Sequence, residues 1–291
     1  MGASLLVPWD GTPPRHDPPL PRSSPESPSH ALDVDIARAF SESMVRPWAD
    51  GWFRAVVHGA EHVPAARGAV LAMNHSGMGW PWDAVIFMHR LAARRGYARD
   101  SLLRGFALPF FFDVPGLAPL IRRTGMWPAT YPGLLRLLGE RELVLYFPEG
   151  VAGIGKGWKR RYQTQPFHTS FIRACVRYRA PVLPCACVGA EAMNPFATNL
   201  PRVARASGLP IFPLSPLQLA LFPTWLSSVF FALPTQLRYF IGAPLTAAVP
   251  GSGAGRAYDR HALDRLDEAA LLVPWGWLFT LARHRRALFR D

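Results

Sequence analysis

A histidine and an aspartate on one predicted turn have the residue types and the spacing that suit catalysis. His75 follows an apolar run over 68–73, and Asp83 opens a set of apolar residues with helical spacing. A neutral imidazole accepts a proton near neutral pH, and a nearby carboxylate fixes its tautomer and stabilises its cation. The pair therefore suits a general base and the group that orients it. The alternative is structural, with the histidine bonded within a loop and the aspartate as a first-turn helix acid.

Two further blocks place polar residues next to an apolar run. Glu149 and Gly150 follow the second run, and the third begins with the prolines of 180–184. Between the first two blocks, Arg122 and Arg123 end an apolar segment. Ligand sites in open α/β sheets gather at the carboxyl ends of the strands. The histidine and the glutamate therefore both fall where such a sheet places its chemistry.

In this order the blocks resemble the four motifs of the glycerolipid acyltransferase family, which includes the lysophosphatidic acid acyltransferases. The resemblance covers residues 52–245. It implies an α/β fold like that of glycerol-3-phosphate acyltransferase, with a mixed, mostly parallel sheet flanked by helices. It also implies that His75 is the catalytic base and that Asp83 orients it. The family commonly has a shorter spacing between the two, whereas residues 76–82 separate them here.

The resemblance also implies a binding site for the acyl acceptor. Arg122 or Arg123 would bind the polar head of the acceptor, and Glu149 and Gly150 would line the same site. The family often has an arginine shortly after this glycine, and the sequence lacks it. We expect Lys156 to take its place.

The implied reaction moves a fatty acyl group from acyl-CoA or acyl-carrier protein to a hydroxyl of a lysophospholipid or another glycerolipid. The thioester donor is a co-substrate, and the resemblance implies neither a metal nor a redox cofactor. The alternative is a catalytically silent lipid-binding relative, because the longer spacing leaves the geometry of the histidine and the aspartate open.

The composition adds partners and a location to this expectation. Lys+Arg 32 against Asp+Glu 20 gives a net charge of +12, and the chain contains 10 tryptophans and 18 phenylalanines. Basic and amphipathic aromatic side chains suit a membrane interface, so we expect a membrane surface with anionic lipids as a partner. The three cysteines read as reduced thiols, which indicates a protein that faces the cytosol. We expect a peripheral or monotopic attachment to the cytoplasmic face of the membrane, because prolines divide the apolar segment 209–234 into pieces too short to span it. Nucleic acid is not expected, because zinc-finger spacing and an RNP1 string are absent from the sequence.

The sequence divides into four parts. Residues 1–30 are proline-rich and predict a disordered tail, and 31–51 predict an amphipathic N-terminal helix. The acyltransferase domain spans 52–245, and its apolar segment 209–234 is either interfacial or a lid over the acyl site. Residues 246–291 predict a helical extension at the C-terminus.

Three local patterns have consequences that a structure can test. Apolar residues recur at every fourth position from Leu32 to Met44, which predicts a stripe that packs on the core or docks on a bilayer. Residues 237–241 predict a last strand at the edge of the sheet. The glycine-rich basic segment 153–161 either binds phosphate or CoA or is a solvated charged loop.

Overall fold

The computed structural model describes residues 31–65, 68–221 and 231–245 of the chain. The predicted tail over 1–30 and the predicted extension over 246–291 lie outside the described residues.

Helices occur along the whole described part of the chain. They are α1 (Val34–Phe40), α2 (Trp82–Arg94), α3 (Leu117–Arg123), α4 (Tyr131–Gly139), α5 (Gly150–Ile154), α6 (Ser170–Tyr178), α7 (Pro201–Ala206) and α8 (Pro216–Ala220). Two π-helical segments, Ser41–Val45 and Trp48–Trp52, continue the chain after α1.

The strands form one main sheet and two small pairs. They are β1 (Val56–His58), β2 (Ala69–Met73), β3 (Gly105–Ala107), β4 (Met126–Pro128), β5 (Leu143–Tyr146), β6 (Val182–Val188), β7 (Thr198–Asn199), β8 (Pro213–Leu214) and β9 (Arg238–Ile241). The main sheet has the order β1-β9-β6-β2-β5, and β3 pairs with β4 and β7 with β8. In the main sheet β6 and β9 are antiparallel and the other neighbours are parallel, so the predicted mixed, mostly parallel α/β sheet is confirmed.

Strand β2 lies at the centre of the core, and all five of its residues are buried. Its alternate side chains belong to opposite faces of the sheet, as the strand geometry requires. Leu71 and Met73 pack with residues of α2 on one face, whereas Val70 and Ala72 pack with α4 and α6 on the other. A strand covered on both sides reads as a continuous apolar run, which is why the sequence predicted it correctly.

The N-terminal helical segment packs on α2 through a different stripe from the predicted one. Small side chains at four-residue spacing, from Ala37 through Ser41 and Val45 to Ala49, are buried. Of the predicted stripe, Phe40 and Met44 point outward instead. Small residues allow the backbone of this segment to approach α2 closely, so burial of the small stripe takes precedence over burial of the larger side chains.

Strand β9 lies in the interior of the main sheet, so the prediction of an edge strand over 237–241 was wrong. It pairs in parallel with β1 and antiparallel with β6. Tyr239 is fully buried and Ile241 is 4% exposed. The strand that occupies this edge of the sheet is β1. Pairing between strands so far apart in the sequence leaves no local pattern that identifies the neighbours.

No helix among residues 31–65, 68–221 and 231–245 is both long enough and apolar enough to cross a membrane. The structure describes the 209–221 and 231–234 parts of the apolar 209–234 segment, and the part between them lies outside the described residues. In the first of these parts, Leu219 on α8 is 56% exposed.

We expect Gly189→Ala to destabilise the fold strongly. Gly189 follows β6 with φ +105°, and a Cβ atom there would overlap the carbonyl oxygen of Gln236. Strain at positive φ and overpacking against backbone together should cost about 3 kcal/mol of unfolding free energy in urea. Gly51→Ala is the matched control, because its Cβ would meet nothing within 4 Å. Equal stability of the two variants would contradict this packing.

Candidate active site

The loop between β2 and α2 brings His75 and Asp83 together. His75 Nδ1 lies 2.8 Å from Asp83 Oδ2, with the histidine side chain 13% exposed and the aspartate side chain fully buried. The glycines of the loop allow the chain to turn back over this distance, since Gly77 and Gly79 have φ values of +113° and +122°. The longer spacing between the two residues is therefore compatible with a direct hydrogen bond.

The Asp83 carboxylate is surrounded by donors. Its Oδ2 accepts the Ser76 N–H at 2.9 Å in addition to the His75 ring, and its Oδ1 accepts the Ala84 N–H at 2.9 Å. The Tyr239 hydroxyl donates to the Asp83 carbonyl oxygen at 3.0 Å, which ties β9 to the start of α2. A buried carboxylate needs such partners, because an unpaired buried charge is very costly.

The imidazole of His75 has a fixed orientation. Its ring stacks on Phe147 with the centroids 4.0 Å apart and an interplanar angle of 20°. Because a carboxylate only accepts hydrogen bonds, Nδ1 carries the proton and Nε2 has a free lone pair. Among the described residues Nε2 has no hydrogen-bond partner, so this atom can accept a proton from a bound hydroxyl.

Glu149 supports the histidine through the backbone. Its Oε1 accepts the His75 N–H at 3.2 Å, and its Oε2 accepts the Gln165 N–H at 2.7 Å. The side chain is fully buried. Burial raises the pKa of this carboxyl above its ordinary range, and the positive charge of Lys156 opposes the rise. Gly150 follows with φ +54°, a conformation that favours glycine.

Close packing of α5 against the histidine loop also depends on a glycine. A Cβ atom on Gly153 would lie 2.7 Å from Glu149 Cβ and 3.0 Å from the carbonyl oxygen of His75. The absence of a side chain at Gly153 therefore allows the segment that carries Glu149 to approach the histidine loop closely.

Lys156, predicted to hold the acceptor, lies in the same cluster but is already paired. Its Nζ lies 3.1 Å from Glu191 Oε1, and the two side chains are 4% and 8% exposed. It also donates to Ser76 Oγ at 3.2 Å. The buried Glu191 carboxylate therefore already pairs with the Lys156 ammonium, so this side chain is less suited to bind an anionic head group.

The two arginines on α3 have separate contacts. The guanidinium of Arg122 lies over two aromatic rings, 4.7 Å from the centroid of Trp127 and 5.2 Å from that of Phe112. Arg123 instead forms an ion pair of 2.7 Å with Asp33, the N-cap of α1. Stacking leaves the N–H edges of a guanidinium available to an anion, so the geometry favours Arg122 for ligand binding.

Several polar residues at this site were not predicted from the sequence. Asn74 accepts the Cys187 N–H at 2.7 Å and donates to the Cys187 carbonyl at 3.0 Å, which joins the ends of β2 and β6. Glu191 accepts the Ser76 hydroxyl at 2.9 Å, and Asn194 donates to two loop carbonyls. The sequence signal available for them was their position just after an apolar strand, the same signal that identified Glu149.

Side chains that can ligate a metal ion occur throughout the described residues. In the part of the chain that the structure describes, no group of three His, Cys, Asp or Glu side chains could hold a metal ion.

Comparisons with known proteins place this geometry in a family context. The family model described as Acyltransferase matches residues 54–188. An uncharacterized protein of Mycobacterium tuberculosis is 34% identical over 214 residues, which are 72% of this chain and 58% of that protein. One of Mycobacterium leprae is 33% identical over 211 residues, 71% of this chain and 56% of its own length. The chain thus spans little more than half of the length of these relatives.

A comparison with solved structures also finds a match. It is the crystal structure of the 1-acyl-sn-glycerophosphate (LPA) acyltransferase PlsC from Thermotoga maritima, 15% identical, with a TM-score of 0.44. The match covers 82% of this chain and 79% of that one. A likeness at this TM-score is too slight to support an inference.

The buried carboxyl of Glu149 gives the protein a pH-dependent stability. Because burial raises its pKa above the ordinary 4.5, the carboxyl contributes most to stability below that pH, and the contribution falls as the pH rises through the raised pKa. We therefore expect the unfolding free energy of the native protein, relative to Glu149→Gln, to decrease as the pH rises. Urea unfolding between about pH 4 and about pH 8 measures this difference. A difference that grows with pH would mean that the fold stabilises the carboxylate.

Proposed function

We propose that this chain, whose residues 54–188 match the family model described as Acyltransferase, moves a fatty acyl group to a lipid hydroxyl. The proposed donor is acyl-CoA or acyl-carrier protein, and the proposed acceptor is a lysophospholipid or another glycerolipid. The observation that carries the proposal is the 2.8 Å hydrogen bond between His75 Nδ1 and the buried Asp83 carboxylate. Both residues lie inside the segment that matches the family. The family model agrees with the acyltransferase family that the order of the motifs implied.

In the proposed reaction His75 is the general base. Its Nε2 takes the proton of the acceptor hydroxyl while the oxygen attacks the thioester carbonyl, and Asp83 stabilises the imidazolium that forms. The tetrahedral intermediate then collapses with cleavage of the C–S bond. The leaving thiolate takes the proton back from the imidazolium, so the enzyme returns to its initial state. Two substrates held in one site gain much of the rate from proximity.

For the acceptor we propose that Arg122 holds an anionic head group. Its guanidinium is oriented by Trp127 and Phe112, which fixes the plane in which its N–H groups point. Arg123 is assigned to the α1 contact with Asp33. Glu149 and Gly150 would form the wall of the site nearest to the histidine.

For the donor we propose that the basic segment after α5 attracts the anionic carrier. Lys159, Arg160 and Arg161 are exposed there. Arg161 lies 4.6 Å from the ring centroid of Trp158, and Trp158 packs on Phe196, which is 68% exposed. Exposed cations beside an aromatic ring suit phosphate groups and a base, as in CoA. They also suit the acidic surface of a carrier protein, so a comparison of donors decides between the two.

The spacing between His75 and Asp83 was the reason to consider a catalytically silent lipid-binding relative. Since the hydrogen bond forms across the longer loop, this spacing no longer favours the silent alternative.

We further propose that the protein works at the cytoplasmic face of a membrane that contains anionic lipids, attached peripherally or as a monotopic protein. Phe40 and Met44 are 42% and 61% exposed on the N-terminal helical segment. Leu120 on α3 is 50% exposed, and the Asp33 to Arg123 ion pair joins α3 to α1. Apolar side chains of this kind beside arginines suit the interfacial region of a bilayer.

The catalytic proposal predicts large effects of two substitutions on turnover. His75→Ala and Asp83→Asn should each lower kcat by about a thousandfold. Asp83→Asn removes the negative charge that stabilises the imidazolium, and in either amide orientation its nitrogen faces an N–H donor of His75 and Ser76 or of Ala84. Thiol release from palmitoyl-CoA and from palmitoyl acyl-carrier protein, with lysophospholipids, monoacylglycerol and diacylglycerol as acceptors, measures the effect.

His58→Ala is the matched control for this assay. His58 stacks on Phe240 with the ring centroids 5.0 Å apart, on the strand β1 at the sheet edge. We expect it to change turnover by less than about twofold. Undiminished turnover of folded His75→Ala would refute the proposed base, and no acceptor-dependent release by native protein with either donor would refute acyl transfer to these acceptors.

The membrane proposal predicts that Phe40→Asp combined with Met44→Asp weakens vesicle binding. Each substitution replaces an apolar side chain at the proposed bilayer interface with a charged one. The fraction of protein that floats with phosphatidylglycerol vesicles should therefore fall by at least about tenfold. Val203→Asp is the control, because Val203 is similarly exposed, at 41%, but lies on α7. Equal flotation of both variants and native protein would contradict the assignment of this surface.

A further inference from the structure

A buried ionic cluster lies directly beneath the histidine loop. Glu191 Oε1 accepts the Ser76 hydroxyl at 2.9 Å and lies 3.1 Å from Lys156 Nζ. Lys156 also donates to Ser76 Oγ at 3.2 Å. Ser76 is 1% exposed, and its backbone N–H is one of the donors to Asp83. The cluster therefore holds the residue that lies between the catalytic base and the carboxylate that orients it.

A second anchor fixes the following residues of the loop. The Asn194 Nδ2 donates to the carbonyl oxygens of Gly77 and Met78, both at 2.7 Å. These two residues have positive φ values of +113° and +40°, a conformation that an L-residue such as Met78 rarely adopts. Asn194 is 6% exposed. Strained backbone persists where surrounding contacts fix it, and Asn194 supplies two of those contacts.

Both anchors come from one short segment after β6. Glu191 lies in the 3-10 turn Ala190–Met193, and Asn194 ends that turn. The segment begins at Gly189, whose backbone is packed against Gln236. The sheet thus fixes the position of this segment, and the hydrogen bonds of Glu191 and Asn194 fix the histidine loop relative to it.

The same cluster cannot be a second catalytic centre. Lys156 lies within hydrogen-bond reach of a serine hydroxyl, as in a nucleophile and base pair. However, the serine is buried, and the Lys156 side chain is paired with Glu191. The arrangement suits a structural support for the loop.

We propose that Glu191 and Asn194 are positioning residues for the acyl transfer, with Lys156 as the counter-charge of Glu191. They hold the long loop so that the His75 ring and the Ser76 N–H both reach the same oxygen of Asp83. The expected change in kcat rests on the proposed function. The role assigned to Lys156 is to balance the charge of Glu191, not to bind the acceptor. A shorter loop would need less support, since fewer residues would separate the base from its carboxylate.

Two variants test the proposal with different chemistry. Asn194→Asp keeps the shape of the side chain but removes the donor to both carbonyls. The double variant Glu191→Leu with Lys156→Met removes both charges together, because a single substitution would leave an unpaired buried charge and endanger folding. We expect kcat per folded molecule to fall by about ten- to a hundredfold in each, since small displacements of a base have such effects. KM for donor and acceptor should change by less than about twofold.

The matched control removes a similar ion pair elsewhere. Arg104 and Glu142 are joined at 2.8 Å, with side chains 2% and 11% exposed. Glu142→Gln combined with Arg104→Met should lower the melting temperature but leave kcat unchanged. A loss of melting temperature alone in the Asn194 and Glu191 variants would reduce their role to stability. An unchanged kcat with a raised KM for the acceptor in the double variant Glu191→Leu with Lys156→Met would return Lys156 to substrate binding. Either result overturns the proposal.

A measurement made without substrate tests the positioning of His75 independently of the proposed reaction. The proton on His75 Nδ1 should give a downfield nuclear magnetic resonance signal in the native protein, because it is bound to a buried carboxylate. We expect the signal to shift or broaden in both anchor variants and to stay unchanged in the control variant. An unchanged signal in the anchor variants would refute positioning even if acyl transfer is confirmed. If native protein has the signal but no transferase activity, the reaction is refuted and the positioning is still tested.

Discussion

The organisation of the site depends on the cost of burying one carboxylate. Asp83 is fully buried, and it accepts hydrogen bonds from the His75 ring and from the backbone N–H groups of Ser76 and Ala84. Without these partners its charge would be prohibitively expensive inside the protein. The need to satisfy it therefore constrains the loop on one side and the first turn of α2 on the other. The orientation of the imidazole follows from the same requirement.

The sheet explains why separate parts of the sequence meet at this carboxylate. β2, β5 and β6 run in parallel, so the residues that follow them emerge at one edge. Those residues include Asn74, Glu149 and Glu191. Each is buried or nearly so and bonds to backbone or side chains of the histidine loop. The carboxyl ends of these strands thus form a polar layer on an apolar core. Each hydrogen bond in this layer restricts the position of the histidine loop.

The sequence predicted the parts of this arrangement that have local signals. Strands β2 and β6 are continuous apolar runs, and β2 at Ala69–Met73 lies within the apolar run that the sequence shows over 68–73. The interior place of β9 and the partner of Lys156 had no such signal, because both depend on residues that are distant in the chain. Of the stripe beginning at Leu32, Leu32 is buried while Phe40 and Met44 are exposed, because the small side chains of this segment fit more closely against α2.

The interior position of β9 has a consequence for the order in which the chain can be completed during synthesis. β1 is made first, but its hydrogen-bonding neighbour is made near the end of the described chain, with Val56 opposite Arg238. A nascent chain that has just emerged through β6 can assemble the parallel strands β6, β2 and β5, while β1 must wait for its partner. Tyr239, which binds the Asp83 carbonyl, arrives with that last strand. The hydrogen bond from Tyr239 to the Asp83 carbonyl can therefore form only after His75, Asp83 and Glu149 have all been translated.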